Sequence, residues 1–214
     1  MTEPQLVCYR AAIKSGVRGK SVKKLIFALI GAGVAWAVPA TAQLNSNPSY
    51  DFIKAVRERD GTKAMEVLNE HPGVVSTRDE AGDTPLNIAL ARKDEEWTGF
   101  MINSGADVNL GGRGNDTPLI AAARVGFGQG IEWLLQRGAK VDGTNKMGET
   151  ALIIAVQQRQ AKIVKALLDA GANPDKSDTA AGLSARDYAK RDTRTPQILQ
   201  MIEAKRPKAG TAAK

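Results

Sequence analysis

Cysteine and histidine are almost missing from this chain of 214 residues: Cys8 and His71 are the single examples. Cys8 falls early, so residues 43–214 hold no thiol. That excludes a disulfide framework, a thiolate nucleophile and a cysteine-based metal site from this part of the chain. One histidine leaves only one way to build a Ser–His–acid triad. His71 sits in His71-Pro72-Gly73, a helix-end turn where a solvated side chain is the plain reading. Metal sites need clustered His, Cys or carboxylates. The acids Asp79, Asp83, Asp116, Asp142 and Glu149 recur at turn positions instead, where turn chemistry accounts for them. The expectation is no enzyme, no catalytic residues, no metal and no cofactor. Aromatics make up only 5% of the chain. A core short of aromatics is filled by Ala, Leu, Ile and Val, which suits close-packed helices better than a β-sandwich.

The central segment also lacks the basic surplus that the net charge of +7 suggests. Residues 1–42 carry six basic side chains and one acid, and residues 186–214 carry eight basic and three acidic ones. The segment between, 43–185, is at −3. Basic character belongs to the two ends, so nucleic acid is not expected as a partner.

Residues 25–38, LIFALIGAGVAWAV, contain no charge; Lys20, Lys23 and Lys24 precede them and Ala40-Thr41-Ala42 follows. A basic start, an apolar middle and a small-x-small exit form a secretory signal peptide. Cleavage is expected after Ala42, leaving Gln43 first and the protein periplasmic or secreted. The other reading is an uncleaved anchor, which Gly31, Gly33 and Pro39 weaken and which is short of the roughly 20 apolar residues that a span requires. Residues 1–20 are long for a signal's basic region, and a start near Val22 fits better. Residues 43–48 read as a short linker, 49–206 as the folded domain and 207–214 (PKAGTAAK) as a disordered tail.

Within the domain the chain repeats itself. Asp83-Thr84-Pro85-Leu86 recurs as Asp116-Thr117-Pro118-Leu119 and as Glu149-Thr150-Ala151-Leu152, each 33 residues on. Gly105-Ala106-Asp107-Val108-Asn109 recurs at Gly138 and Gly171 with the same period. Each unit reads physically. Thr caps a helix and Pro is tolerated in its first turn. A second helix carries an apolar stripe such as Ile163, Val164, Leu167 and Leu168. The glycine at 105, 138 or 171 ends that helix, and a polar turn leads to the next Thr. Trp97 and Trp133 fall in the apolar register of second helices. Gly111-Gly112-Arg113-Gly114 is Gly-rich but lacks the Lys-Ser/Thr of a phosphate loop, and it falls where every repeat has its turn.

These motifs resemble the ankyrin repeat family, whose unit carries Thr-Pro-Leu-His-x-Ala. The resemblance implies an all-α solenoid of about five helix-turn-helix repeats with short β-turn fingers. The histidine position departs, holding Asn87, Ile120, Ile153 and Asp187. Weaker hydrogen bonding between the turns is expected there. Residues 49–75 and 182–206 read as degenerate end repeats, with Ile53, Val56, Met65 and Leu68 inward in the first and one extra residue at Thr179–Ala181 in the last.

The family's concave face, made by turn tips and first helices, implies a protein partner and a non-catalytic role. Carried over by register, the face comprises Glu80, Ala81, Asp83 and Arg92, then Arg113, Asp116, Arg124 and Val125, then Lys146, Met147, Glu149, Gln157 and Gln158. Simple solvent exposure is the other reading of each. A monomer without a stable membrane span is expected. The alternative function is a structural, envelope-associated one, with Arg186, Lys190, Arg191, Arg194, Lys205, Arg206 and Lys208 against an anionic surface.

Overall fold

The threonines read as helix starters do start helices. In the computed structural model, which describes residues 47–205, Thr84, Thr117 and Thr150 have extended backbone and accept hydrogen bonds from the N–H groups of Asn87, Ile120 and Ile153 at 3.1–3.3 Å. Ser184 does the same for Asp187, whose carboxylate accepts in turn from the Ser184 N–H and completes a capping box. The leader 1–42, residues 43–46 of the linker and the tail 207–214 lie outside the described residues.

Among the described residues five helix pairs follow in order: α1 (Pro48–Glu58) with α2 (Gly61–Glu70), α3 (Pro85–Ala91) with α4 (Glu95–Asn103), α5 (Pro118–Val125) with α6 (Gly128–Gln136), α7 (Ala151–Gln157) with α8 (Ala161–Asp169), and α9 (Ala185–Arg191) with α10 (Pro196–Ala204). Short 3₁₀ turns lie at Pro72–Ser76 and Arg113–Asn115. The three repeated glycines close the second helices. Gly105, Gly138 and Gly171 take φ of +86°, +81° and +91°, a left-handed conformation that a Cβ disfavours. The following alanine N–H then bonds back to Met101, Leu134 or Leu167 at 3.0 Å.

Between pairs the chain makes a finger. Backbone bonds tie Asp79 to Asp83, Gly112 to Asp116 and Asn145 to Glu149, and Asp178 to Leu183 across one more residue. Fingers also join one another: the Lys146 N–H donates to Gly114 O and the Thr179 N–H to Met147 O. Among the described residues, β structure amounts to the isolated bridges Thr144–Thr150 and Ser177–Ser184.

First helices pack closely on first helices, with Ala89, Ala122, Ala123 and Ala155 buried among them. Second helices touch each other less, which makes the first-helix side the shorter, concave one. One continuous core runs through the stack, including Leu90, Met101, Ile120, Leu134, Ile154 and Leu167. Burial of each such side chain stabilises by about 1.5–3 kcal/mol. Trp97 is buried edge-on to Phe100, and Trp133 is half-buried edge-on to Phe127.

Two expectations need correction. Met65 is 40% exposed, because α2 turns its Ala64–Val67 stripe inward instead. Asn87 does knit the turns despite replacing histidine: its Nδ2 donates to Asp116 O of the next repeat at 3.0 Å. Among the described residues no helix is long and apolar enough to cross a membrane.

Candidate functional site

Seven of the residues expected on the binding face converge in one open groove of about 540 Å³. Asp83, Arg113, Asp116, Lys146 and Met147 come from the fingers, and Arg124 and Val125 from the end of α5. The floor is small, made by Ala91 and Ala121 of the first helices beside the buried Asn87, and Gly114 lines the finger side. Met147 stands at the rim, 48% exposed.

Most charges of this groove are held in pairs, some within a repeat and some between repeats. Arg113 Nη2 donates to Asp83 Oδ2 at 3.0 Å. The Arg124 guanidinium straddles the Asp116 carboxylate at 3.1 and 3.2 Å and lies 3.7 Å from Glu149. Asn145 Nδ2 bridges Asp116 and Glu149 at 2.9 and 2.8 Å, while Asn145 Oδ1 accepts from the N–H groups of Met147 and Glu149. Glu149 therefore lies behind the groove and braces it.

The other expected residues fall elsewhere. Glu80 and Ala81 line a wider hollow at the N-terminal end, about 810 Å³, with Tyr50, Ile53, Lys54 and Arg57. Arg57 pairs there with Asp79. Gln157 borders a smaller hollow at the C-terminal end with Tyr188, Arg191 and Arg194. Gln158 is the exposed residue that ends α7 and lines none of these hollows. Arg92 serves the fold: its Nη1 donates to the carbonyls of Val56 (3.3 Å) and Arg57 (2.9 Å) at the end of α1.

At the C-terminal end, burial pushes the Asp178 carboxyl up. The Tyr188 hydroxyl and the amides of Ala181, Leu183 and Gly182 outweigh it and hold the group below the usual range. Tyr188 donates to Asp178 at 2.7 Å, and its own pKa is raised by that bond and by burial. Asp192 is lowered to about 2, by the Thr195 hydroxyl first, then the Arg194 amide and the Arg159 guanidinium. Among the described residues no three His, Cys, Asp or Glu side chains converge as a metal-binding group. The arrangement offers hydrogen bonds and charges on a shallow surface.

Sequence reasoning missed Asn87, Asn145 and Tyr188, and read Arg191 and Arg194 as cations toward an anionic surface and not as part of this face. Register points to Asn145, which stands at the same finger position as Asp79 and Asp178. The family model described as ankyrin repeats (3 copies) matches residues 52–145 and, overlapping, 100–178. Comparison with curated proteins returns no match.

Proposed function

The chain belongs to the ankyrin repeat family, a family of non-catalytic protein–protein interaction modules, and from that premise we propose that it binds its partner through the groove between the second and third fingers. The observation that carries this reading is the convergence of Arg113, Arg124, Lys146 and Met147 around a floor of small side chains. Asp83 and Asp116 hold Arg113 and Arg124 in position without a partner, so little of their side-chain freedom is lost on binding. The exposed Met147 supplies an adaptable apolar contact at the rim. The test is retention of partners from an extract of the native host by the unaltered protein and by R113E/K146E. Loss of a partner by the variant, with its fold intact, supports the reading; identical retention by both rejects it.

The proposal includes export, for which the uncharged run 25–38 after Lys23 and Lys24 and the Ala40-Thr41-Ala42 exit are the support. Protein recovered from the periplasm or medium is then expected to begin at Gln43. A cell-associated protein that keeps residues 25–38 contradicts it. The envelope reading is less well supported, because two of its cations are engaged internally: Arg186 with Asp175 at 2.6 Å and Lys205 with Asp169 at 2.8 Å.

A further inference from the structure

Internal pairing leaves the middle groove with donors to spare. Its three carboxylates are engaged and mostly covered: Asp83 by Arg113, Asp116 by Arg124 and Asn145, and Glu149 by Asn145. Their side chains are 26%, 22% and 13% exposed, while those of Arg113 and Arg124 are 66% and 41% exposed. Arg113 spends its side-chain bonds on one partner, and exposed Lys146 has no carboxylate within 4.0 Å among the described residues. What the groove turns outward is cationic.

The same sign continues toward the C-terminal end. Arg191 and Arg194 are exposed in the hollow beside Gln157 and Tyr188. The one acid there, Asp192, is already bonded to the Arg159 guanidinium at 2.8 Å, the Arg194 amide and the Thr195 hydroxyl. The opposite end differs. There Asp51, Glu58 and Glu80 stand against Lys54 and Arg78 once Arg57 has paired with Asp79. Charge along the concave face thus runs from near balance at the first repeat to basic at the last.

We propose that the middle and C-terminal parts of this face hold an extended acidic segment of a partner protein. The inference rests on the concave-face reading above and adds the chemistry of the occupant. Carboxylates of the segment meet the unspent nitrogens of Arg113 and the ammonium of Lys146, where charge-assisted bonds are strongest. The small floor at Ala91 and Ala121 admits backbone and short apolar side chains, and Met147 covers them. The near-balanced first repeat offers no such surplus of cations, which places the segment's acidic stretch toward the C-terminal end of the stack. A polyphosphate backbone fits less well. Asp83, Asp116 and Glu149 weaken the field behind the cations, and the middle groove lacks an aromatic face on which a base could stack.

The test is an NMR titration of the ¹⁵N-labelled full chain with four probes of matched length: a Glu–Ala alternating dodecapeptide, its Gln–Ala and Lys–Ala counterparts, and oligothymidylate. The Glu–Ala peptide is expected to shift the amides of Gly114, Lys146 and Met147 saturably. The half-saturating concentration rises about tenfold in R113E/K146E and when salt goes from about 0.05 M to about 0.5 M, since exposed ion pairs are screened. Lys162→Glu on α8 leaves it unchanged. The neutral pair R113Q/K146Q, also weakened, keeps the test readable should charge reversal disturb a finger. Equal binding of the Gln–Ala peptide, or tighter binding of oligothymidylate, overturns the proposal. Loss of the natural partner by R113E/K146E without any amide shift from the Glu–Ala peptide also overturns it, and leaves the interaction face standing.

Discussion

Asn87 and Gly112 form a unit across two repeats. An ideal Cβ at Gly112 falls 2.3 Å from Asn87 Nδ2, so only glycine leaves that amide room to reach Asp116 O. In the other fingers this position holds Asp79, Asn145 or Asp178, each with a side-chain oxygen that accepts from its own finger's backbone. The second finger, with Gly112 there, lacks such an oxygen and is closed from α3 instead. Gly112→Ala is expected to cost about 1–3 kcal/mol, the usual penalty for an overfilled site. In an Asn87→Ala background most of that cost should vanish, giving a coupling of about 1 kcal/mol or more in a double-mutant cycle by urea unfolding. Additive losses would show that the two residues act separately. Little of this is legible in the sequence. The glycine pair reads as a turn, but the atom that demands glycine lies 25 residues upstream. The histidine position likewise gives no sign that an asparagine can reach the same neighbouring turn.

At the scale of the element, the helix starts are the most legible feature. Thr150 is fully buried and its hydroxyl caps α7, so Thr150→Ala is expected to lower stability by about 1–2 kcal/mol in chemical denaturation. An unchanged midpoint would mean that the cap contributes nothing. The second helices are less legible, because a long apolar side chain at a stack end gives no sign of which way its helix turns. Met65 is the example: Ala64 and Val67 take the buried face and leave the larger side chain in solvent. The last two repeats also carry an acid dependence. Lys165 and Lys205 bring Asp169 down to about 2, and Thr195, the Arg194 amide and Arg159 bring Asp192 to about the same value. A carboxyl depressed on folding stabilises above its unfolded value of 3.8, and that contribution is lost as pH falls toward 2. The thermal midpoint should therefore drop between about pH 4 and pH 2. Asp192→Asn should flatten that drop; an identical pH profile for the variant would remove Asp192 from the account.

For the whole molecule, the period of 33 made the architecture readable, since two separate motifs shared it. The concave face was readable in outline: Asp83, Arg113, Asp116, Arg124, Val125, Lys146 and Met147 do gather in one groove. The roles within it were not. Arg113 meets Asp83 from 30 residues away, and Arg92 turns to the end of α1 from 35. Register alone cannot tell a residue that faces a partner from one that braces its neighbour. Stability in such a stack is a sum over repeats and their interfaces. Substitutions at the braces, Arg92 and Glu149, should therefore loosen the local repeat, while those at Lys146 and Met147 should leave unfolding unchanged. The claim that the concave groove is the binding face is tested most directly by placing a photoreactive amino acid at position 147 and, separately, at exposed position 132 on α6. The account predicts one protein adduct in the native host from position 147 and none from position 132. The same adduct from 132, with nothing from 147, would contradict it.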